Sequence, residues 1–254
     1  MRRRFVMVFI LLSCTLCHAN VRYGFENPRD AWILGSGLLL NGIGGWFYHQ
    51  VSPPDPSTLS QSEIFFPDRI ALRYDNPTAS RFSDWTLILV SMAPLAMSVH
   101  ENSSTGKWTE SALYLESQIW TSGLTRLCKG IVRRPRPYAY AGSSTLPDKD
   151  AARSFFSGHT SIAFTGAVST GIFFDHFYPE SKWSKTVWIS SLSLAATTGV
   201  LRILAGKHFP TDVLTGAIVG SFVGWMIPKM HEEQGGADES SISQAMLLSI
   251  QFSF

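Results

Sequence analysis

Residues 185–230 read KTVWISSLSLAATTGVLRILAGKHFPTDVLTGAIVGSFVGWMIPKM, and this stretch decides the fold. Two apolar runs, 185–205 and 211–230, flank a short turn, Gly206-Lys207-His208-Phe209-Pro210. Pro210-Thr211 opens the second run and Pro228 closes it, since proline fits the first turn of a helix but not its interior. Ala195, Gly216, Gly220 and Gly224 recur through both runs. Small residues let helices approach closely, in lipid or in a tight soluble bundle. The stretch reads as two helices joined by a turn that carries His208, with Asp212 four positions further on.

Working outward, four more apolar segments complete a set of six: 31–50, 84–100, 108–130 and 157–174. Ser83-Asp84 can cap the second, and Pro179 follows the fourth. The expected fold is all-α, a six-helix bundle embedded in a membrane. Two segments fit that picture poorly. The third contains Glu110, Glu116, Gln118 and Arg126 and reads as amphipathic. The first holds Gly35, Gly37, Gly42, Gly44 and Gly45 and reads as a loose or re-entrant helix. Residues 51–81 form a long polar loop to which the pattern assigns no role.

Composition points the same way. Of the 254 residues, 45% are hydrophobic and 16% charged, against about 25% charged in a typical soluble domain. A net charge of +2 gives no case for a nucleic-acid partner. The basic residues are unevenly placed, with 7 of the 21 between Arg126 and Arg153.

The chain ends add two expectations. Arg2-Arg3-Arg4, the apolar Phe5 to Leu12 and Cys17-His18-Ala19 form an export-signal pattern over residues 1–19, with the mature chain starting at Asn20. Leu11-Leu12-Ser13-Cys14 offers a weaker lipobox reading. With the signal removed Cys128 stands alone, so no internal disulfide forms. The helical domain runs over 20–234. Beyond Gly235-Gly236, Ile242, Met246, Leu248, Ile250, Phe252 and Phe254 alternate with polar residues, a short strand-like tail over 235–254.

Three clusters carry chemistry. The first runs from Lys129 to Arg136-Pro137, the second is Ser154-Phe155-Phe156-Ser157-Gly158-His159-Thr160, and the third runs from Arg202 through His208 to Asp212. Each sits at the end of an apolar segment, and an up-and-down bundle can bring those ends to one face. Phosphoryl transfer needs cationic donors around the equatorial oxygens, which Lys129, Arg136 and Arg202 supply. Ser157 and Gly158 open a helix, where backbone amides favour an anion and glycine lets the backbone approach it. Asp212 can orient His208 as a nucleophile, and His159 can protonate the leaving oxygen. Arg133, Arg134 and Arg153 extend the basic mouth. No His/Cys cluster has zinc-site spacing.

These residues resemble the phosphatidic acid phosphatase type 2 / haloperoxidase superfamily. Its pattern is Lys, six residues, Arg-Pro; then Pro-Ser-Gly-His; then Ser-Arg, five residues, His, three residues, Asp. The three spacings and their order match here. Phe156 stands where the family has Pro, and Leu201 where it has Ser. The resemblance implies a helical bundle, no metal and no cofactor, and a covalent phosphohistidine. It also implies His208 as nucleophile, Asp212 as its partner and His159 as general acid, with Lys129, Arg136, Ser157, Gly158 and Arg202 as phosphate ligands. The expected activity is hydrolysis of a phosphate monoester or pyrophosphate on a lipid: a polyprenyl pyrophosphate, phosphatidylglycerophosphate, phosphatidate or lipid A phosphate. A secreted soluble acid phosphatase, a vanadate haloperoxidase and a non-catalytic outer-membrane protein are the competing readings. The expected location is a bacterial cell envelope, with a periplasmic site. Yet a removed signal followed by six spans turns the ends of segments three and five toward the cytoplasm.

Overall fold

The structure, a computed structural model, describes residues 22–24, 28–100, 108–140 and 148–233. The expected signal at 1–19 and tail at 235–254 lie outside these residues. Six long helices form: α1 (Arg29–His49), α2 (Pro77–His100), α3 (Thr109–Val132), α4 (Gly158–Phe177), α5 (Ser184–Leu204) and α6 (Pro210–Met230). Two-residue strands β1 (Arg22–Tyr23) and β2 (Glu232–Glu233) pair antiparallel, Tyr23 opposite Glu232. The fold is all-helical apart from this clasp.

Local chemistry places the helix ends. Ser157 caps α4 by accepting from the Thr160 amide. Asp212 closes a capping box on α6, its carboxylate accepting from the Phe209 amide at 2.9 Å. The start of α2 differs from expectation. Asn76, not Ser83-Asp84, is the cap, accepting from the Ala79 amide at 3.1 Å, and Pro77 takes the first helical position. Ser83 and Asp84 therefore lie inside α2, where their side chains are free for other work. Pro228 is tolerated in the last turn of α6, which ends at Met230.

The first segment is neither loose nor re-entrant. Its glycines split into two sets. A Cβ on Gly37 would lie 2.8 Å from the Trp120 ring, and one on Gly44 2.8 Å from the Gly123 carbonyl, whereas Gly35, Gly42 and Gly45 meet open space. Gly37 and Gly44, with Gly123 and Gly130 opposite, let α1 lie directly against α3. Both helices run in the same direction, since Ile33 bonds Trp120 while Phe47 abuts Gly130.

Successive helices alternate in direction around a central α4, which packs on α2, α3, α5 and α6. Consequently the α1–α2, α3–α4 and α5–α6 connections share one end of the bundle. The β1–β2 clasp lies at the other end, where His231 meets Asp30 and Glu116. Asp175-His176, in the last turn of α4, is packed there. Asp175 accepts from Trp188 Nε1 at 2.8 Å, and His176 Nε2 lies 3.3 Å from Glu110.

The amphipathic α3 is inside out. Glu110, Glu116, Ser117, Thr121, Thr125 and Lys129 are buried, while Leu115, Ile131 and Val132 are exposed. The other outer faces are equally apolar. Trp32, Leu38, Leu39 and Trp46 on α1, Trp85 and Leu89 on α2, Ile189 on α5, and Leu214, Ile218, Phe222 and Trp225 on α6 are all exposed. Helices α5 and α6 are long and apolar enough to cross a bilayer. The 21 residues of α1 correspond to about 31 Å, close to a hydrocarbon core.

Candidate active site

The three sequence clusters converge at the loop-rich end. Lys129 comes from the last turn of α3, His159 from the first turn of α4, Arg202 from the last turn of α5, and Asp212 from the first turn of α6. Arg136 and His208 come from the connecting segments. Ser157 and Asp212 are tied by a backbone bond of 3.0 Å. Arg136 Nη1 reaches the Lys207 carbonyl at 3.4 Å, beside His208. A Cβ on Gly158 would meet Thr125 at 3.1 Å and Lys129 at 3.9 Å. All eight expected residues thus come together at this end of the bundle.

The electrostatics are lopsided. Lys129 is buried, and its ammonium donates only to the carbonyls of Arg153 and Ser154. It has no carboxylate partner among the described residues. Arg202 donates through Nη1 to Ser83 at 3.2 Å and Ser80 at 3.4 Å, and its buried Nε has no hydrogen-bond partner among the described residues. Arg136 is paired with Asp150 at 3.0 Å. The amides of Gly158 and His159 have no backbone acceptor among the described residues. An unpaired buried ammonium costs several kcal/mol, so such a cluster is suited to an anion.

His208 is fully buried, and its imidazole is held well below its ordinary value. Burial is the largest cause, followed by the positive charges of Arg136, Lys129 and Arg202 and by His159. The ring is therefore neutral at physiological pH. Its Nδ1 lies 3.7 Å from Asp212 Oδ2, beyond hydrogen-bond range, and has no hydrogen-bond partner among the described residues. Here the geometry departs from the expected bond. Asp212 is already engaged by other donors: Arg134 Nη1 at 2.7 Å on Oδ1, and Ser154 Oγ at 2.5 Å with the Phe209 amide at 2.9 Å on Oδ2.

Three groups to which the sequence reading assigned no role in the site join it. Asp84 accepts from or pairs with His159 Nε2 at 2.9 Å and lies 3.9 Å from Arg202. Asp68, from the unassigned 51–81 loop, pairs with Arg134 at 2.8 Å. Ser154 donates to Asp212. Of the three arginines expected at the mouth, Arg134 is part of this network. Arg153 instead stacks on Tyr48 at 3.8 Å and donates to its carbonyl. Arg133 ends α3 in the left-handed region, with φ of 52°.

A family model for the PAP2 superfamily matches residues 111–235, the span that carries all three clusters. Over these residues the chain is similar to the PAP2 superfamily. Among curated relatives, a lipid A 1-phosphatase of Porphyromonas gingivalis is 36% identical over 85 residues, 34% of this chain and 18% of that protein. An undecaprenyl-diphosphatase of Sulfolobus acidocaldarius is 28% identical over 104 residues, covering 41% and 46%. A lipid A 4'-phosphatase of Porphyromonas gingivalis is 26% identical over 166 residues, covering 58% and 61%. The chain thus spans less than two thirds of the length of each of these relatives. Among solved structures, a transmembrane PAP2-type phosphatidylglycerolphosphate phosphatase from Bacillus subtilis aligns with a TM-score of 0.47. It is 18% identical, over 79% of this chain and 94% of that one.

Proposed function

We propose that this chain is a membrane phosphatase that hydrolyses a phosphate monoester or diphosphate carried on a lipid, through a phosphohistidine at His208. The observation that carries the reading is the buried cationic trio around a neutral His208, in which, among the described residues, Lys129 lacks a carboxylate partner and Arg202 Nε lacks a hydrogen-bond partner. Lys129, Arg136 and Arg202 hold the phosphoryl oxygens, together with the Gly158 and His159 amides at the start of α4. His208 Nε2 attacks phosphorus. The P–N bond forms as the P–O bond to the leaving group breaks, and His159 gives its proton to the departing oxygen. His159 then takes a proton from water, whose oxygen displaces His208 from phosphorus and releases inorganic phosphate. The charge that develops on His208 draws Nδ1 toward Asp212. A movement of about 0.7 Å brings the pair into hydrogen-bond range.

The exposed tryptophans and aliphatic side chains on α1, α2, α5 and α6 support a lipid surround and a lipid substrate. Three relatives named for lipid A and undecaprenyl diphosphate support the same class. The bundle constrains orientation. The site and the β1–β2 clasp lie at opposite ends, so in a spanning bundle a clasp outside the membrane places the site in the cytoplasm, and a clasp in the cytoplasm places it in the periplasm. Labelling of Ser57→Cys from outside the cell separates the two.

The test is a substrate panel with the purified protein, His208→Ala and His159→Ala. Both substitutions drop turnover by at least about 10³-fold. Vanadate inhibits and EDTA does not. Full activity in His208→Ala ends the phosphohistidine reading.

A further inference from the structure

The chain between α1 and α2 supplies one fully buried carboxylate. A 3-10 helix, Phe66–Arg73, turns Phe66 and Ile70 outward and Asp68 and Ala71 inward. Ala71 packs with Ile64 and Phe209. Asp68 Oδ1 accepts from the Thr211 amide at 2.9 Å, and Oδ2 accepts from the Thr211 hydroxyl at 2.6 Å and from Arg134 Nη2 at 2.8 Å. Arg134 Nη1 donates to Thr211 Oγ1 at 2.8 Å and to Asp212 Oδ1 at 2.7 Å. Its guanidinium lies 4.2 Å over the Phe209 ring. One arginine thus bridges two buried carboxylates, and both flank the turn that carries His208.

We infer that Asp68 is a positioning residue for the nucleophile. Acting through Arg134 and Thr211, it fixes the Asp212 carboxylate and the first turn of α6, and so the ring of His208. The inference rests on His208 being the nucleophile. Docking of this segment alone does not call for a carboxylate. The neighbouring contacts are apolar, and an apolar residue in place of a buried ion pair is often no less stable. What the pair adds is orientation. The planar guanidinium is gripped along two edges, by Asp68 and by Asp212, and its face is seated on Phe209. Asp212 Oδ1 is set by that grip, while Oδ2 remains facing Nδ1 of His208.

The experiment compares Asp68→Asn, Asp68→Glu, Thr211→Val, Arg134→Gln and the Asp68→Asn/Arg134→Gln pair, all purified in detergent with p-nitrophenyl phosphate as the probe. Asp68→Asn keeps an acceptor for the Thr211 amide but places an amide against Arg134. Misplacement of a reacting group by about 1 Å is worth about 10²-fold in rate. The expected result is a fall in kcat of about that size, with KM and vanadate inhibition within about threefold of wild type. Asp68→Glu recovers part of the rate. The double variant loses no more than Arg134→Gln alone, because both act on one network. Should Asp68→Asn not fold, Thr211→Val carries the same expectation. Wild-type kcat, or a rise in KM at unchanged kcat, overturns the inference. His208→Ala in the same panel separates the two levels. Turnover retained in His208→Ala overturns the nucleophile, whereas an inactive His208→Ala beside a fully active Asp68→Asn overturns only the role of Asp68.

Discussion

Gly220→Ala tests whether the α4–α6 contact holds the site together. An added Cβ would lie 2.1 Å from the Ser161 carbonyl oxygen, with Ser161 C at 2.8 Å and Cα at 2.9 Å. These are backbone atoms and cannot swing aside. Ordinary contact begins near 3.4 Å, so the helices must part by about 1.3 Å, a displacement that overpacked cores resist. The Thr165 hydroxyl also loses its bond to the Gly220 carbonyl, now 3.0 Å. Overpacking and one buried hydrogen bond together cost about 2–4 kcal/mol, or roughly 4–16 °C in Tm for a domain of this size. The same interface carries the Ser157–Asp212 backbone bond at the site. A wedge at Gly220 therefore shifts His159 relative to His208, and a shift of about 1 Å lowers kcat by about 10²-fold. Gly42→Ala is the control, because its Cβ meets open space and alanine gains up to about 1 kcal/mol of helix propensity. Thermal melts and turnover are measured on both. If Gly220→Ala matches Gly42→Ala in both, the close approach does not govern the site.

Three further outcomes follow from the same geometry. Asp84→Asn weakens the hold on His159 and lowers kcat about 10-fold or more on alkyl phosphates. It has less effect on p-nitrophenyl phosphate, whose leaving group needs no proton, and an equal effect on both would remove Asp84 from the acid's support. Because folding holds the His208 imidazole below its ordinary 6.5, the unfolded chain takes a proton there that the folded protein refuses. Stability therefore falls as pH drops below about 6.5, by up to about 1.4 kcal/mol per pH unit. His208→Asn lacks that contribution, and pH-dependent melts of identical slope for the two proteins would contradict it. Sodium carbonate leaves the protein in the membrane pellet, since the exposed faces of α1, α2, α5 and α6 are apolar; release into the supernatant means that those faces do not meet lipid.

The site's principal residues were legible because each cluster is local. Lys129 and Arg136, Ser157 to His159, and Arg202, His208 and Asp212 sit at fixed spacings that one helix end or one turn determines. Their supports are not local. Asp68 and Arg134 are 66 positions apart, His159 and Asp84 75, and Arg134 and Asp212 78, and no spacing rule spans such gaps. Asp84 looked like a helix cap for the same reason: a carboxylate near a predicted helix start is a good cap, and only the Asn76-Pro77 start moves it inside.

Helix α3 shows a different limit, and one that the sequence could have passed. Periodicity reports that two faces of a helix differ, not which one faces inward. In water the polar face turns out; in a bundle with a polar interior it turns in. Lys129 decides between them. If that lysine must reach the site, its own face of α3 points inward. Thr125, Thr121 and Ser117 precede it at steps of four, and all are buried. Their hydroxyls are satisfied at once by the helix carbonyls four residues back and, for Thr121, by Thr165 on α4. The polar stripe is thus an interior strut, which leaves Leu115, Ile131 and Val132 for the outside. A helix that keeps this hydroxyl stripe within and Leu115, Ile131 and Val132 without gains nothing by facing water, and the lipid reading of this bundle follows from that choice of face more than from the hydropathy of any one segment.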